Sequence, residues 1–234
     1  MILPDLRERS TSVLEWMDGP ECDRSTLDRT YSQFRIVNRL VAGWRQTYRS
    51  HLRPALRRGE LTTVLDIGSG GGDLARALAG WARRDGFRVH ITAVDPDERA
   101  HAWATGRPPV PGVEYRQALS AELVAEGRGF DLVISNHLLH HLDASGLSAL
   151  LSDSEQLARI RAVHSDIRRS PIAYLLFSAG TLPFFHRSFI RADGLISIRR
   201  SYTPGELRGS CPSGWRVLGQ APWRNLLLYE AGRR

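Results

Sequence analysis

The sequence predicts an α/β protein, a mostly parallel sheet with strands and helices in alternation over residues 61–234, preceded by a helical extension over residues 1–60. Two observations predict it. Short runs rich in Val, Ile and Leu alternate with segments whose apolar residues recur every three or four positions. One such run, Val64-Leu65-Asp66-Ile67, leads into the turn Gly68-Ser69-Gly70-Gly71-Gly72 and then into a helical stripe of Leu74, Leu78 and Trp81. Strand, glycine turn and helix in that order make a nucleotide-sized pocket, because glycine lets bare backbone approach a ligand at a helix N-terminus.

Residues 1–23 carry few signals beyond a short helical turn around Leu14, Glu15 and Trp16, closed by Gly19-Pro20. Over residues 25–52, Val37, Val41, Trp44, Tyr48 and Leu52 fall on one stripe, predicting a single amphipathic helix that Pro54 ends. Eight arginines and no acidic residue lie between Arg29 and Arg58. A helix packed on the domain with its arginines solvated is preferred here to one lying on nucleic acid or a membrane. After the glycine-turn helix, Arg83-Arg84-Asp85-Gly86 turns the chain into a second strand, Ile91-Thr92-Ala93-Val94, ending at Asp95. Pro96 opens a helix to about Ala104, and a Pro- and Gly-rich loop precedes the third strand, Val113-Glu114-Tyr115-Arg116. The fourth strand covers residues 130–135, a helix follows from about 144 to 159, and the fifth strand covers 161–167. Ser170-Pro171 starts an apolar helix, with serine as cap and proline in the first turn. Thr203-Pro204-Gly205-Glu206 is a capping box, and residues 215–218 and 225–229 are the sixth and seventh strands.

Glycine spacing decides between ligands. A dinucleotide fingerprint, G-x-G-x-x-G, needs glycine at position 73, where Asp73 stands. The pattern is instead Asp66-x-Gly68-x-Gly70-x-Gly72, with a carboxylate before the turn that would repel a pyrophosphate and attract an amino group. Asp95, 23 residues past Gly72 at a strand end, can accept hydrogen bonds from both ribose hydroxyls. In these residues the chain resembles the class I S-adenosylmethionine-dependent methyltransferases, over about residues 61–230. The resemblance implies a Rossmann-like sheet of seven strands with the last antiparallel, an N-terminal helical lid, S-adenosyl-L-methionine as cofactor and S-adenosyl-L-homocysteine as product. It assigns the cofactor to Asp66, Gly68, Ser69, Gly70, Gly72, Asp95, Pro96 and Asn136, with Leu119 and Ser120 beside the adenine. Many members carry Gly-Asp-Ala at the adenine position; this chain has Ala118-Leu119-Ser120, leaving Leu119 a backbone N–H and an apolar face. Tyr31, Phe34, Arg35 and Asn38 are expected to face the acceptor from the lid, and Tyr174, Phe177, Phe184 and Phe185 to form an apolar wall.

Ligands in open α/β sheets collect at the carboxyl ends of strands, so Asn136-His137-Leu138-Leu139-His140-His141-Leu142 should lie beside the reactive methyl. This segment resembles its counterpart in small-molecule methyltransferases. Ser165-Asp166-Ile167-Arg168-Arg169-Ser170, with Asp193-Gly194 and Ser197-Ile198-Arg199-Arg200, resembles bacterial enzymes of polyketide and phenolic natural products. The reaction so implied is O-methylation of a small hydroxylated aromatic, quinone-like or polyketide metabolite in secondary metabolism. A phenol ionises near pH 10 by analogy with tyrosine, so a base is expected: His137 first, His140 second, and Asp166 as orienter or alternative. At least one of His140 and His141 is expected to be structural. The rival readings are methylation of RNA or protein through the arginine-rich helix, and a cofactor-binding module without activity. The Asn/Asp-Pro-Pro-Tyr motif of amino-group methylation is missing, since His137-Leu138 follows Asn136.

Composition bounds these readings. With 42% hydrophobic and 24% charged residues the chain has the make-up of a globular protein, and no run reaches the length of a membrane span. Asp5 and Glu8 argue against a signal peptide, so the chain reads as cytoplasmic. Cys22 and Cys211 stand far apart, and no clustered ligand set implies a metal. A net charge of +7 ordinarily points to nucleic acid, but all 32 basic residues are arginine, which reads as a coding bias. A small molecule is the expected partner, nucleic acid is disfavoured, and the oligomeric state is not legible.

Overall fold

The computed structural model describes residues 4–19, 21–182, 185 and 187–232, apart from the side chains of residues 35, 39 and 40. Two helices come first, α1 (Arg24–Val41) and α2 (Trp44–Thr47). Strands and helices then alternate: β1 (Leu61–Ile67), α3 (Asp73–Arg84), β2 (Arg88–Asp95), α4 (Glu98–Thr105), β3 (Val113–Gln117), α5 (Ser120–Ala125), β4 (Phe130–Asn136), α6 (Ala144–Leu157) and β5 (Ala158–Ile167). The chain continues through α7 (Pro171–Thr181), α8 (Ile190–Arg200), α9 (Pro204–Ser210), β6 (Trp215–Gln220) and β7 (Arg224–Glu230).

The strands form one seven-stranded sheet in the order β3-β2-β1-β4-β5-β7-β6. Neighbours among β1 to β5 are parallel, and β7 runs antiparallel between β5 and β6. Its central strands read as near-continuous apolar runs because both faces are covered. Leu65, Val133, Leu147 and Leu151 pack on one face, and Val64, Leu132, Ile134 and Leu78 on the other. This is the Rossmann-like arrangement the sequence predicts. Among the described residues no helix is long and apolar enough to cross a membrane.

The single helix expected over residues 25–52 is broken. α1 stops at Val41, Gly43 takes a left-handed φ of 65°, and the chain restarts as α2 followed by a π turn at Tyr48–Leu52. The break lies where Gln220 Nε2 donates to Gly43 O at 3.1 Å, and a Cβ on Gly43 would sit 2.6 Å from that nitrogen. Trp44, Tyr48 and Leu52 are nonetheless buried in the core beside Leu78. Smaller differences follow from caps and register. α4 begins at Glu98 because Asp97, not Pro96, caps it, and β5 starts at Ala158 where it pairs with Phe130. α8 occupies a stretch where no element is expected, and it buries Ile190, Ser197, Ile198 and Arg200.

Two features of this topology position the site. Strand order reverses between β1 and β4, so the turns leaving these neighbours diverge and open a crevice at their carboxyl ends. The antiparallel direction of β7 brings its first residue, Arg224, beside Ile167, the last of β5. A residue far along the chain thereby joins the carboxyl edge of the sheet.

Candidate active site

A cavity of about 1030 Å³ opens at that edge. Its floor is the glycine turn: Ser69 N donates to Val94 O at 3.0 Å and Gly72 N to Ser69 O at 2.9 Å, with Gly68, Gly70 and Gly72 all at positive φ. Gly72 has no room for a side chain, since a Cβ would lie 2.4 Å from the Tyr115 ring. Asp95 fixes the turn from β2, its Oδ2 accepting from Gly70 N at 2.7 Å and its Oδ1 from Asp97 N at 2.9 Å.

Asp66 is the chemically unbalanced group. It is 1% exposed, its Oδ2 has no hydrogen-bond partner, and burial together with repulsion from Asp95 pushes its carboxyl up to about 8. A buried carboxylate of this kind lacks a cation, and an ammonium group placed against it would restore its charge. The amino acid end of S-adenosyl-L-methionine carries such a group, and Asp66 lines the cavity. The residues present therefore fit that cofactor.

At the end of β4, His140 is enclosed by carboxylates. Its Nδ1 lies 2.8 Å from Asp166 Oδ1, its Nε2 lies 3.1 Å from Glu15 Oε1, and its backbone N donates to Asp166 Oδ2 at 2.7 Å. Burial opposes charge on the imidazole, but Asp166 and Glu15 outweigh it and hold the group at about 9. Asp166 in turn sits well below the usual carboxylate range, because the charge and hydrogen bond of His140 overcome its burial. Glu15 also accepts from Ser197 Oγ at 2.6 Å, and His141 Nδ1 lies 3.2 Å from Asp18 Oδ2.

Glu15 and Asp18 reach the site on a strap, residues 4–19, that the body of the protein holds by its backbone. Asp193 accepts from Trp16 N and Met17 N at 2.7 and 3.0 Å, Arg200 donates to Val13 O, and Arg169 donates to Leu6 O and Arg7 O. Arg9 reaches back to His140 O and Leu142 O at 2.9 and 2.7 Å. Three arginines are thus spent on carbonyls rather than on solvent.

Beside this cluster stands a buried cation. Arg224 is 2% exposed and donates to Asn136 Oδ1 at 2.8 Å and to Ser165 Oγ at 3.0 Å, and its Nη1 lies 3.3 Å from His137 Nε2. Burial lowers the guanidinium to about 10. His137, at a positive φ of 57°, is held well below the ordinary imidazole value by burial and by the Arg224 charge, so it is neutral.

The cavity gathers many of the residues singled out from sequence. Asp66, Gly68, Ser69, Gly70, Asp95, Pro96, Asn136, His137 and His140 line it, as do Tyr31, Phe34, Asn38, Phe177 and Phe185. Others lie elsewhere. Leu119, whose N donates to Glu122 Oε1 at 3.2 Å, and Ser120, whose Oγ donates to Asp153 at 2.6 Å, do not line the cavity; Asp166 stands behind His140, and Tyr174 is half-buried on α7 away from the lining. Gly72 packs under the turn rather than facing the cavity. The Arg35 side chain and Phe184 fall outside the described residues. Glu15 and Arg224 join the site without having been singled out, and Asp193, noted only for its resemblance, joins it as the anchor of the strap. For Glu15 and Arg224 the only sequence signal is an ionisable residue beside apolar neighbours, and nothing local tells a buried one from a solvated one.

Comparison with known proteins agrees with this geometry. A family described as methyltransferase domain matches residues 64–161. The ubiquinone biosynthesis O-methyltransferase of Azotobacter vinelandii is 30% identical over 189 residues, 78% of this chain and 73% of that protein. Its namesake from Caulobacter vibrioides is 38% identical over 87 residues, so that match spans about a third of the relative's length, 32%, and 36% of this chain. Among solved structures, human N-acetylserotonin methyltransferase in complex with S-adenosylmethionine shares the fold, with a TM-score of 0.63 at 13% identity over 90% of this chain and 57% of that one.

Proposed function

Because the chain belongs to the class I S-adenosylmethionine-dependent methyltransferases, we propose that it methylates a hydroxyl of a small apolar aromatic, quinone-like or polyketide molecule, in the cytoplasm and as part of secondary metabolism. One observation carries the reading. A single cavity joins the cofactor end, at Asp66, Gly70 and Asp95, to an apolar mouth that includes Ile36, Leu176 and Phe177. Ile36 and Leu176 are 50% and 55% exposed, so an approaching molecule meets hydrocarbon first. About 1030 Å³ is at the upper end of ordinary ligand sites, which leaves space for an acceptor next to a cofactor. Tyr31, Phe34 and Asn38 of α1 line the same space, which supports a lid role for residues 1–60 over a methyltransferase domain at 61–234.

When bound, S-adenosyl-L-methionine supplies an electrophilic methyl group. Asp66 would hold the cofactor's amino group and Asp95 its ribose hydroxyls, in the charge-assisted manner that favours carboxylates. An acceptor hydroxyl reaching this pair would replace the Arg224–His137 hydrogen bond, accepting from the guanidinium and donating its proton to His137 Nε2. Transfer would join the acceptor oxygen to that methyl group with S-adenosyl-L-homocysteine as leaving group, and His137 would take the hydroxyl's proton. His137 is a weak base because its pKa is depressed, so Arg224 does the complementary work of making the hydroxyl more acidic. His140 has carboxylates on both ring nitrogens, and Asp166 is engaged with it, which supports an anchoring rather than proton-accepting role for the pair.

The test is S-adenosyl-L-homocysteine production by the purified chain against phenols, hydroxyquinones, resorcinols, small amines and total RNA. Product with phenolic acceptors is expected. Product with RNA alone would move the acceptor site to the arginines of α1 and α2, and tight cofactor binding with no product would point to a regulatory module.

A further inference from the structure

We infer that Glu15, His140 and His141 form a binding site for one divalent transition-metal ion of the zinc type at the wall of the active-site cavity. The geometry is specific. His140 Nδ1 lies 2.8 Å from Asp166 Oδ1, and His141 Nδ1 lies 3.2 Å from Asp18 Oδ2. Each imidazole therefore sets its Nδ1 against a carboxylate and turns Nε2 the same way, towards Glu15 Oε1, at 3.1 and 3.9 Å. One donor atom from each of the three residues lies within 4.8 Å of the others. Metal-binding histidines are held by outer carboxylates in this way, which fixes the tautomer and aims the free nitrogen. Glu15 has its own outer partner in Ser197 Oγ at 2.6 Å.

Two histidines and one carboxylate are a donor set for catalytic zinc or non-haem iron, and they leave coordination positions open. All three residues line the cavity, as does Asp18, so the open positions face the space that receives the acceptor. The rings of His140 and His141 lie with centroids 4.2 Å apart, tilted by 37°, which keeps the two nitrogens close to each other. Bringing the donors onto one ion replaces the His140–Glu15 hydrogen bond and draws His141 across its longer gap to Glu15, for which its side chain, 28% exposed, has room. Binding forms bonds from the ion to Glu15 and the two Nε2 atoms, displaces water from the ion, and releases to solvent the proton shared by His140 and Glu15. An ion there would lower the pKa of a hydroxyl that reached it. Sequence spacing hides the set, because Glu15 precedes His140 by 125 residues.

The test uses the untagged full chain, stripped with a chelator and then titrated with Zn²⁺ by calorimetry and with Co²⁺ by visible absorption. One equivalent is expected, with the absorption bands of four- or five-coordinate Co²⁺. Glu15→Gln and His141→Ala should each weaken binding at least ~100-fold, and Asp18→Asn, which acts through His141, by roughly 10–100-fold. A wild-type melting transition in each variant keeps loss of metal distinct from loss of fold. The inference is overturned if the wild-type chain binds no ion above the Glu15→Gln background, or if binding survives in both ligand variants. Methyl transfer, measured separately, tests the proposed reaction and not this site.

Discussion

The Arg224 guanidinium lies 3.3 Å from His137 Nε2, a wholly buried cation against a neutral imidazole, and the hydrogen bonds it makes are to Asn136, Ser165 and that ring rather than to a carboxylate. A cation so placed favours an anion that takes the ring's place as its hydrogen-bond partner. Replacing Arg224 by Gln keeps hydrogen bonding and removes charge. The expected outcome is a fall of about 10–100-fold in kcat/KM at pH 7, with the acidic limb of the pH–rate profile moved to higher pH. His137→Ala should cost a further factor, roughly 10²-fold in kcat, and unchanged turnover at pH 7 would remove His137 from the reaction.

If Asp66 holds the cofactor's amino group as proposed, it links cofactor binding to protons. Its carboxyl, near 4 in an unfolded chain, is raised to about 8 in the fold, so it contributes most to stability below pH 4 and progressively less as pH rises through 8. Asp66→Asn should therefore stabilise the cofactor-free protein at pH 8, by roughly 1–3 kcal/mol, while weakening S-adenosyl-L-homocysteine binding. Binding at pH 7 should release a proton from Asp66 in the wild type. Calorimetry in buffers of different ionisation enthalpy reads this directly, and a buffer-independent heat would contradict it.

Asp95 is expected to matter for affinity more than for turnover. Its Ala variant loses the ribose acceptor and the bond that holds Gly70 N, and charge-assisted hydrogen bonds contribute roughly 1.5–3 kcal/mol. Titration with S-adenosyl-L-homocysteine should show affinity reduced about 10–100-fold, and an unaltered Kd would displace the ribose from this strand end.

Gly72→Ala tests the turn itself. The new methyl would meet the Tyr115 ring at 2.4 Å on a residue whose φ is 75°, so both packing and backbone oppose it. A destabilisation of roughly 1–3 kcal/mol is expected, seen as a melting temperature several degrees lower, whereas Gly127→Ala shares the positive φ but meets no atom within 4 Å and should cost less.

What the sequence discloses here is what is written locally. β1, the glycine turn and α3 follow from adjacent residues, and Asp95 from a strand end at a readable spacing, because each is set by periodicity or by backbone needs within one element. The break at Gly43 depends on Gln220, from the other end of the chain, so the unbroken apolar stripe conceals it. α8 was hidden for a related reason, since it buries Asp193, Ser197 and Arg200 along with its apolar residues. Leu119 and Ser120 occupy the position the adenine reading asks for, but side-chain direction at a helix start is set by tertiary neighbours such as Asp153. Glu15 and Arg224 are legible only once the strap and β7 are seen to converge.

That convergence has a consequence for how the protein is made. A chain emerging from the ribosome releases Asp66 and Asp95 with the early strands, while β7 is still unsynthesised. Arg224 arrives only when β7 docks beside Ile167. In chain order, the residues proposed to hold the methyl donor are thus complete before the residue proposed to meet its acceptor is made.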